Sequence, residues 1–196
     1  MRLDINHKGI DYEKTWALVR SAFKLIEADG PEVEVHVKRA EHRRTHWEIG
    51  CDGCSFGRNW IHGHTARTRK AVLARCANAS RPSDATKVVT PRPAGQLFSG
   101  TAYSEPRAAW LIAPGARYLV VLKVPDIGVE GFPYEWSYHR AKTAVTPKIE
   151  SWEEALVYLS GHEARHTRQY ALDLPRSEVD AEASGMVALN AYRRNS

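Results

Sequence analysis

Two histidines one helical turn apart, set inside a stripe that must otherwise form core, constrain this chain more than any other feature. Trp152, Ala155, Leu156, Leu159, His162, Glu163, His166 and Tyr170 fall on one face at helical spacing. Ser151, followed by Glu154, opens the segment as a capping box. A helix with this pattern buries the stripe, and the two imidazoles go in with it. In His162-Glu163-Ala164-Arg165-His166 both rings project the same way and can share one cation. Glu163, rotated by about 100° from His162, points at the open side of such an ion. There it can take a proton from water that zinc acidifies to a pKa of roughly 7.

Two imidazoles alone make a loose site, so a third ligand is expected. The helix breaks at Pro175, and Ser177 with Asp180 opens a second one in a variant of the capping box. Glu178, in its first turn, can swing toward the histidines. Glu182 lies one turn further on the same face, where it can accept from a ligand histidine's free ring N–H and orient that ring. Gly185 removes side-chain bulk where the two helices must approach closely.

This arrangement resembles the gluzincin metallopeptidases, whose signature is H-E-x-x-H on one helix and E-x-x-x-D on the next. Here it stands as His162-Glu163-x-x-His166 and Glu178-x-x-x-Glu182, over roughly the last 45 residues. The segment Ser99-Gly100-Thr101-Ala102-Tyr103 is faintly similar to a small-residue/Tyr motif of SprT-like proteases. The resemblance implies a zinc peptidase with His162, His166 and Glu178 as ligands, Glu163 as general base and Glu182 behind the ligands. The chain departs from the family at Ala164, where a bulky apolar residue is usual, at Arg165, and at Glu182 in place of Asp. Tyr134, Tyr138, His139 and Tyr158 are donors of the right type for a developing oxyanion, and nothing in the sequence selects among them.

The remainder reads as an α+β fold. Tyr12, Trp16, Val19, Phe23 and Ile26 share one face of a helix over 11–30, capped by Asp11 and stopped by Gly30-Pro31. Val33, Val35 and Val37 alternate with polar residues as in a half-buried strand. Residues 81–95 read as a loop, and Ala109–Ala113 with Tyr118–Val124 read as a β-hairpin around Pro114-Gly115. The Tyr118–Val124 strand is a potential edge for an extended peptide. The expected architecture is one zincin-like domain over 1–196: a backing helix, a small sheet with a hairpin, the H-E-x-x-H helix and the glutamate helix. Its peptidase core spans 100–196, and a basic Cys/His-rich insertion spans 41–95.

Within that insertion Cys51-Asp52-Gly53-Cys54, His62, His64 and Cys76 could close a second, structural zinc site, or could be ordinary reduced cysteines or a redox pair. Residues 1–100 hold 17 Lys/Arg against 11 Asp/Glu, while the rest hold 11 against 12, so the net +5 is concentrated in the first half. Such a balance suits nucleic acid as a partner beside a peptide or protein substrate, or simply a solvated basic surface. A nucleic-acid-binding knuckle protein, or a regulatory protein with a non-catalytic metal site, is therefore the rival reading. No apolar run approaches membrane-spanning length, and three cysteines give no disulfide framework, so a cytoplasmic setting is expected.

Overall fold

The computed structural model describes residues 1–41, 43–56, 59–75, 85–92, 95, 97–104, 114–136 and 146–196, with backbone alone for 43–46, 50–56, 59–65, 75, 90 and 91. The described residues form an α+β fold of four helices and small sheets, and the chain divides into two compact units. Met1–Ala40 joins Pro93–Ser196 in one, and Glu41–Arg92 forms the other.

In the first unit, β1 (Arg2–Asn6), β2 (Val33–Arg39), β7 (Tyr118–Val124) and β6 (Ser99–Tyr103) make one sheet in the order β1-β2-β7-β6. The first three are parallel, and β6 runs antiparallel to β7 at the border. One face carries Val33, Val35, Val37, Val120, Leu122 and Val124, all nearly or fully buried. Against it pack α1 (Tyr12–Leu25), through Val19 and Phe23, and α3 (Trp152–Ala171), through Trp152, Ala155, Leu156 and Leu159. Each such side chain contributes about 1.5–3 kcal/mol on full burial, so this layer anchors α3 and everything mounted on it.

Several expectations change here. β2 is not half-buried, because strands flank it on both sides and both of its faces are covered. Glu34 and His36 go inside with the valines, and His36 Nε2 lies 2.5 Å from Glu34 Oε1, each partnering the other. The Asp11 cap holds, accepting from Lys14 N–H at 2.9 Å. The helix nevertheless ends at Leu25, with Glu27 in the left-handed region at φ 56°, so Gly30-Pro31 is not its stop and Tyr12 is exposed. β7 is interior, and β6 is its antiparallel partner and, among the described residues, the border strand. The expected strand at Ala109–Ala113 lies outside the described residues. A short pair, β8 (Tyr134–Glu135) with β9 (Lys148–Ile149), organises part of the irregular stretch before α3.

In the second unit β3 (Arg43–Phe56), β4 (Asn59–Ala66) and β5 (Thr86–Pro91) form an antiparallel sheet in the order β4-β3-β5. With α2 (Arg69–Arg75) it builds a small core of Ile49, Ala66, Val72 and Ala85. Residues 86–91, expected in a loop, pair with β3, and Pro91 ends the strand where a missing N–H is tolerated. The register of β3 on β4 shifts between Gly50 and Cys54, which is why no period-two pattern shows there.

Candidate metal centre

α3 is buried along nearly its whole length, and α4 (Glu178–Asn195) lies beside it. Ser151 caps α3 by accepting from Glu154 N–H, and Ser177 caps α4 by accepting from Asp180 N–H, each at 3.2 Å. Two glycines let the helices meet. A Cβ on Gly185 would stand 2.9 Å from the Tyr158 ring, and one on Gly161 would stand 2.7 Å from Ala188 Cβ. Arg165 and Ala164, the departures from the usual motif, have local reasons. Arg165 reaches Asp180 on α4 at 3.2 Å, and Ala164 is sealed in the core.

This packing brings His162, His166 and Glu178 together, with ligand atoms within 4.8 Å of one another. Glu178 Oε2 lies 3.5 Å from His162 Nε2 and 3.3 Å from His166 Nε2. Ligand atoms on a tetrahedral zinc, with bonds of about 2.0–2.1 Å, sit roughly 3.3–3.4 Å apart, so the two distances from Glu178 to the imidazoles suit that ion. Burial, then the neighbouring His166, pushes the His162 imidazole down to about 4, leaving it neutral as a ligand must be.

Glu163 is 4% exposed, and its Oε1 lies 4.0 Å from His162 Nε2. Border strand β6 holds it from the other side. The Ala102 N–H donates to its carboxylate, and a Cβ on Gly100 would fall 2.5 Å from its Cγ and Oε1. Its Oε2 is buried with no hydrogen-bond partner among the described residues. Desolvation above all, and Glu178 further, push this carboxyl up to about 8 against the opposing pull of Arg176.

Glu182 sits behind His162, its Oε1 3.6 Å from the ring Nδ1, while its Oε2 accepts from the Tyr158 hydroxyl. Burial raises its carboxyl to about 7. The Tyr158 hydroxyl is thereby committed and is no oxyanion donor. The Tyr134 hydroxyl is buried with no hydrogen-bond partner among the described residues, its ring lying beside Phe132 and Trp136. Tyr138 and His139 lie outside the described residues.

Two residues escaped the sequence reading. Arg176 pairs with Glu178 Oε1 at 3.0 Å, and its half-exposed charge is felt by both Glu163 and His162. Gln169, 1% exposed, accepts from the His166 ring at Nδ1 at 3.0 Å. The spacing His166-x-x-Gln169 was the available signal, since it puts an amide one turn beyond the second histidine.

Of the second proposed cluster, β3 carries Cys51 and Cys54 and β4 carries His62 and His64 in one antiparallel hairpin. Their side chains, and Cys76 altogether, lie outside the described residues. No helix among the described residues is long and apolar enough to cross a membrane. Comparison with protein-family models, curated proteins and solved structures gives no match for this chain.

Proposed function

We propose that this chain is a zinc-dependent peptidase of gluzincin type, with a zincin-like arrangement in its first unit. His162, His166 and Glu178 are the ligands and Glu163 the general base. The observation that carries this reading is Glu163, a buried carboxyl with one oxygen lacking a hydrogen-bond partner among the described residues, beside three potential ligands whose donor atoms lie within 4.8 Å of one another. A closed structural site needs no such group, and an unsatisfied buried acceptor costs about 1–3 kcal/mol. Bound zinc would supply a Lewis acid that polarises the scissile carbonyl and acidifies the attacking water.

The chain's own residues supply the rest. Oε2 of Glu163 takes the proton of the attacking water and delivers it to the leaving amine, while the Ala102 N–H keeps the carboxylate from turning away. Among the described residues Arg176, half-exposed next to Glu178, is a cation that could serve a developing oxyanion. An extended peptide adding to the border of β6 would pass beside Glu163.

The test is metal content by mass spectrometry together with hydrolysis of an unstructured fluorogenic peptide mixture. Wild type should carry zinc, His162→Ala should lose one equivalent, and Glu163→Gln should keep the metal and lose hydrolysis. Equal hydrolysis by wild type and Glu163→Gln, or no metal in wild type resupplied with zinc, defeats the proposal.

A second reading rests on charge. The unit Glu41–Arg92 holds ten Lys/Arg against four Asp/Glu, a net +6, whereas the rest of the chain is at −1. A polyanion such as nucleic acid is the partner that balance favours. Binding to a single-stranded oligonucleotide should then weaken steeply with salt and survive Glu163→Gln. Salt-independent binding, or none, removes this reading.

A further inference from the structure

The loop that reverses the chain between α3 and α4 is pinned at both ends on one residue. Leu174 N–H donates to the backbone carbonyl of Gln169 at 2.8 Å. At the far end the Gln169 side chain takes both polar groups of the Ser177 backbone. Its Oε1 accepts from Ser177 N–H at 3.3 Å, and its Nε2 donates to Ser177 C=O at 3.4 Å. The same Oε1 faces His166 Nδ1 at 3.0 Å.

A backbone N–H can only donate and a backbone carbonyl can only accept, so Ser177 fixes which way round the amide sits. The atom presented to His166 is therefore an oxygen, which requires the proton on Nδ1 and leaves Nε2, 3.3 Å from Glu178 Oε2, as the ring atom open to an ion. Ser177 immediately precedes Glu178, so the same amide also sets how far that carboxylate stands from the two imidazoles. From this we infer that Gln169 is a positioning residue that fixes the His166 tautomer and holds Glu178 in register with it. The inference rests on the metal-site reading above, and concerns metal affinity rather than turnover.

The experiment measures zinc affinity of the full chain by competition with a chromophoric chelator, for wild type, Gln169→Leu and Gln169→Glu. Long-range proton–nitrogen NMR reads the His166 ring, and thermal melting in chelator reads fold integrity separately. Gln169→Leu should bind zinc about 10–100-fold more weakly, the range for losing such an outer partner, and should show His166 with mixed tautomers. Gln169→Glu keeps acceptors for His166 and Ser177 N–H, so it should keep the tautomer and stay nearer wild-type affinity. A folded leucine variant with wild-type affinity and an unchanged tautomer overturns the inference. If the leucine variant does not fold, Gln169→Glu decides. Retention of the Nδ1 proton supports the inference, and a fall of tenfold or more with tautomer mixing overturns it. Wild type that takes up no zinc sinks the site reading and this inference with it, and is distinguished because that failure precedes any mutation.

Discussion

Glu163 pulls the pH dependence of the metal-free protein one way, and His162, lowered from 6.5 to about 4, pulls it the other way between those values. The Glu163 carboxyl ionises near 4.5 in the unfolded chain, but burial holds the folded one protonated up to about 8. Between those values the unfolded state binds fewer protons, so stability falls as pH rises through the window. Glu182, raised to about 7, adds in the same direction. Above the range in which His162 opposes them, urea midpoints measured in chelator should therefore decline from about pH 6.5 to about pH 8, with a shallower slope in Glu163→Gln. Equal slopes would mean that Glu163 is not desolvated as described. Gly100 bears on the same carboxylate, because a Cβ there would sit 2.5 Å from it. Gly100→Ala should leave zinc content intact and cut hydrolysis by at least tenfold, in line with the cost of a displaced base. Normal activity in that variant would show that β6 does not position Glu163. The histidines, Glu163 and Glu178 were legible because helical spacing alone brings the first three together and a break followed by a cap locates the fourth. Gly100 and Ala102 stood out only through a faint motif resemblance, and their closeness to Glu163 was not legible because it depends on how α3 packs against a strand some sixty residues earlier in the chain.

Long periodic helices declared themselves, and short strands did not. α3 and α4 could be read from caps and a break, whereas five-residue β1 offers too few positions for a period to show. The polar partners of β2 pointed to a solvent face until strand order put that strand inside the sheet. Between the helices, closeness is a matter of missing atoms. Gly161→Ala places a methyl 2.7 Å from Ala188 Cβ and 2.9 Å from the Ser184 carbonyl, so the helices must separate. The expected loss is about 1–3 kcal/mol, read from the urea midpoint, with zinc affinity falling alongside because Glu178 rides on α4. A stable variant with weaker zinc binding would instead place the effect in the site alone. At the other end of the pair, Arg193 grips Glu154 through Nε at 2.8 Å and Nη2 at 2.6 Å, and that bond chiefly lowers the Glu154 carboxyl below its ordinary value. The stability it adds is complete above the unfolded carboxyl range and is lost as pH falls through the lowered folded value. The gap between wild type and Arg193→Met should therefore close on acidification from about pH 6 to about pH 3.

At the scale of the molecule the two units differ in what holds them. Among the described side chains the first has a continuous core from β1 to α4, while the second has a cluster of Ile49, Ala66, Val72 and Ala85 with a few half-buried neighbours. Chains of the length of the second unit commonly need a metal or another staple to remain folded. It is also the unit that holds Cys51, Cys54, His62, His64 and Cys76, and the register of β3 breaks at the C-x-x-C. If those residues bind zinc, chelation acts on both units by mass action. A ligand at a hundred times its Kd adds about 2.7 kcal/mol to the state that binds it, and its removal takes that away. Amide hydrogen exchange with and without chelator separates the cases. Faster exchange confined to α3 and α4, abolished as a difference by His162→Ala, means one zinc, in the peptidase site. Faster exchange in β3 and β4 as well, abolished there by Cys51→Ser, means that a second ion holds the basic unit together. Unchanged exchange in β3 and β4 would leave the cysteines as reduced side chains, with no second ion needed for that unit's stability.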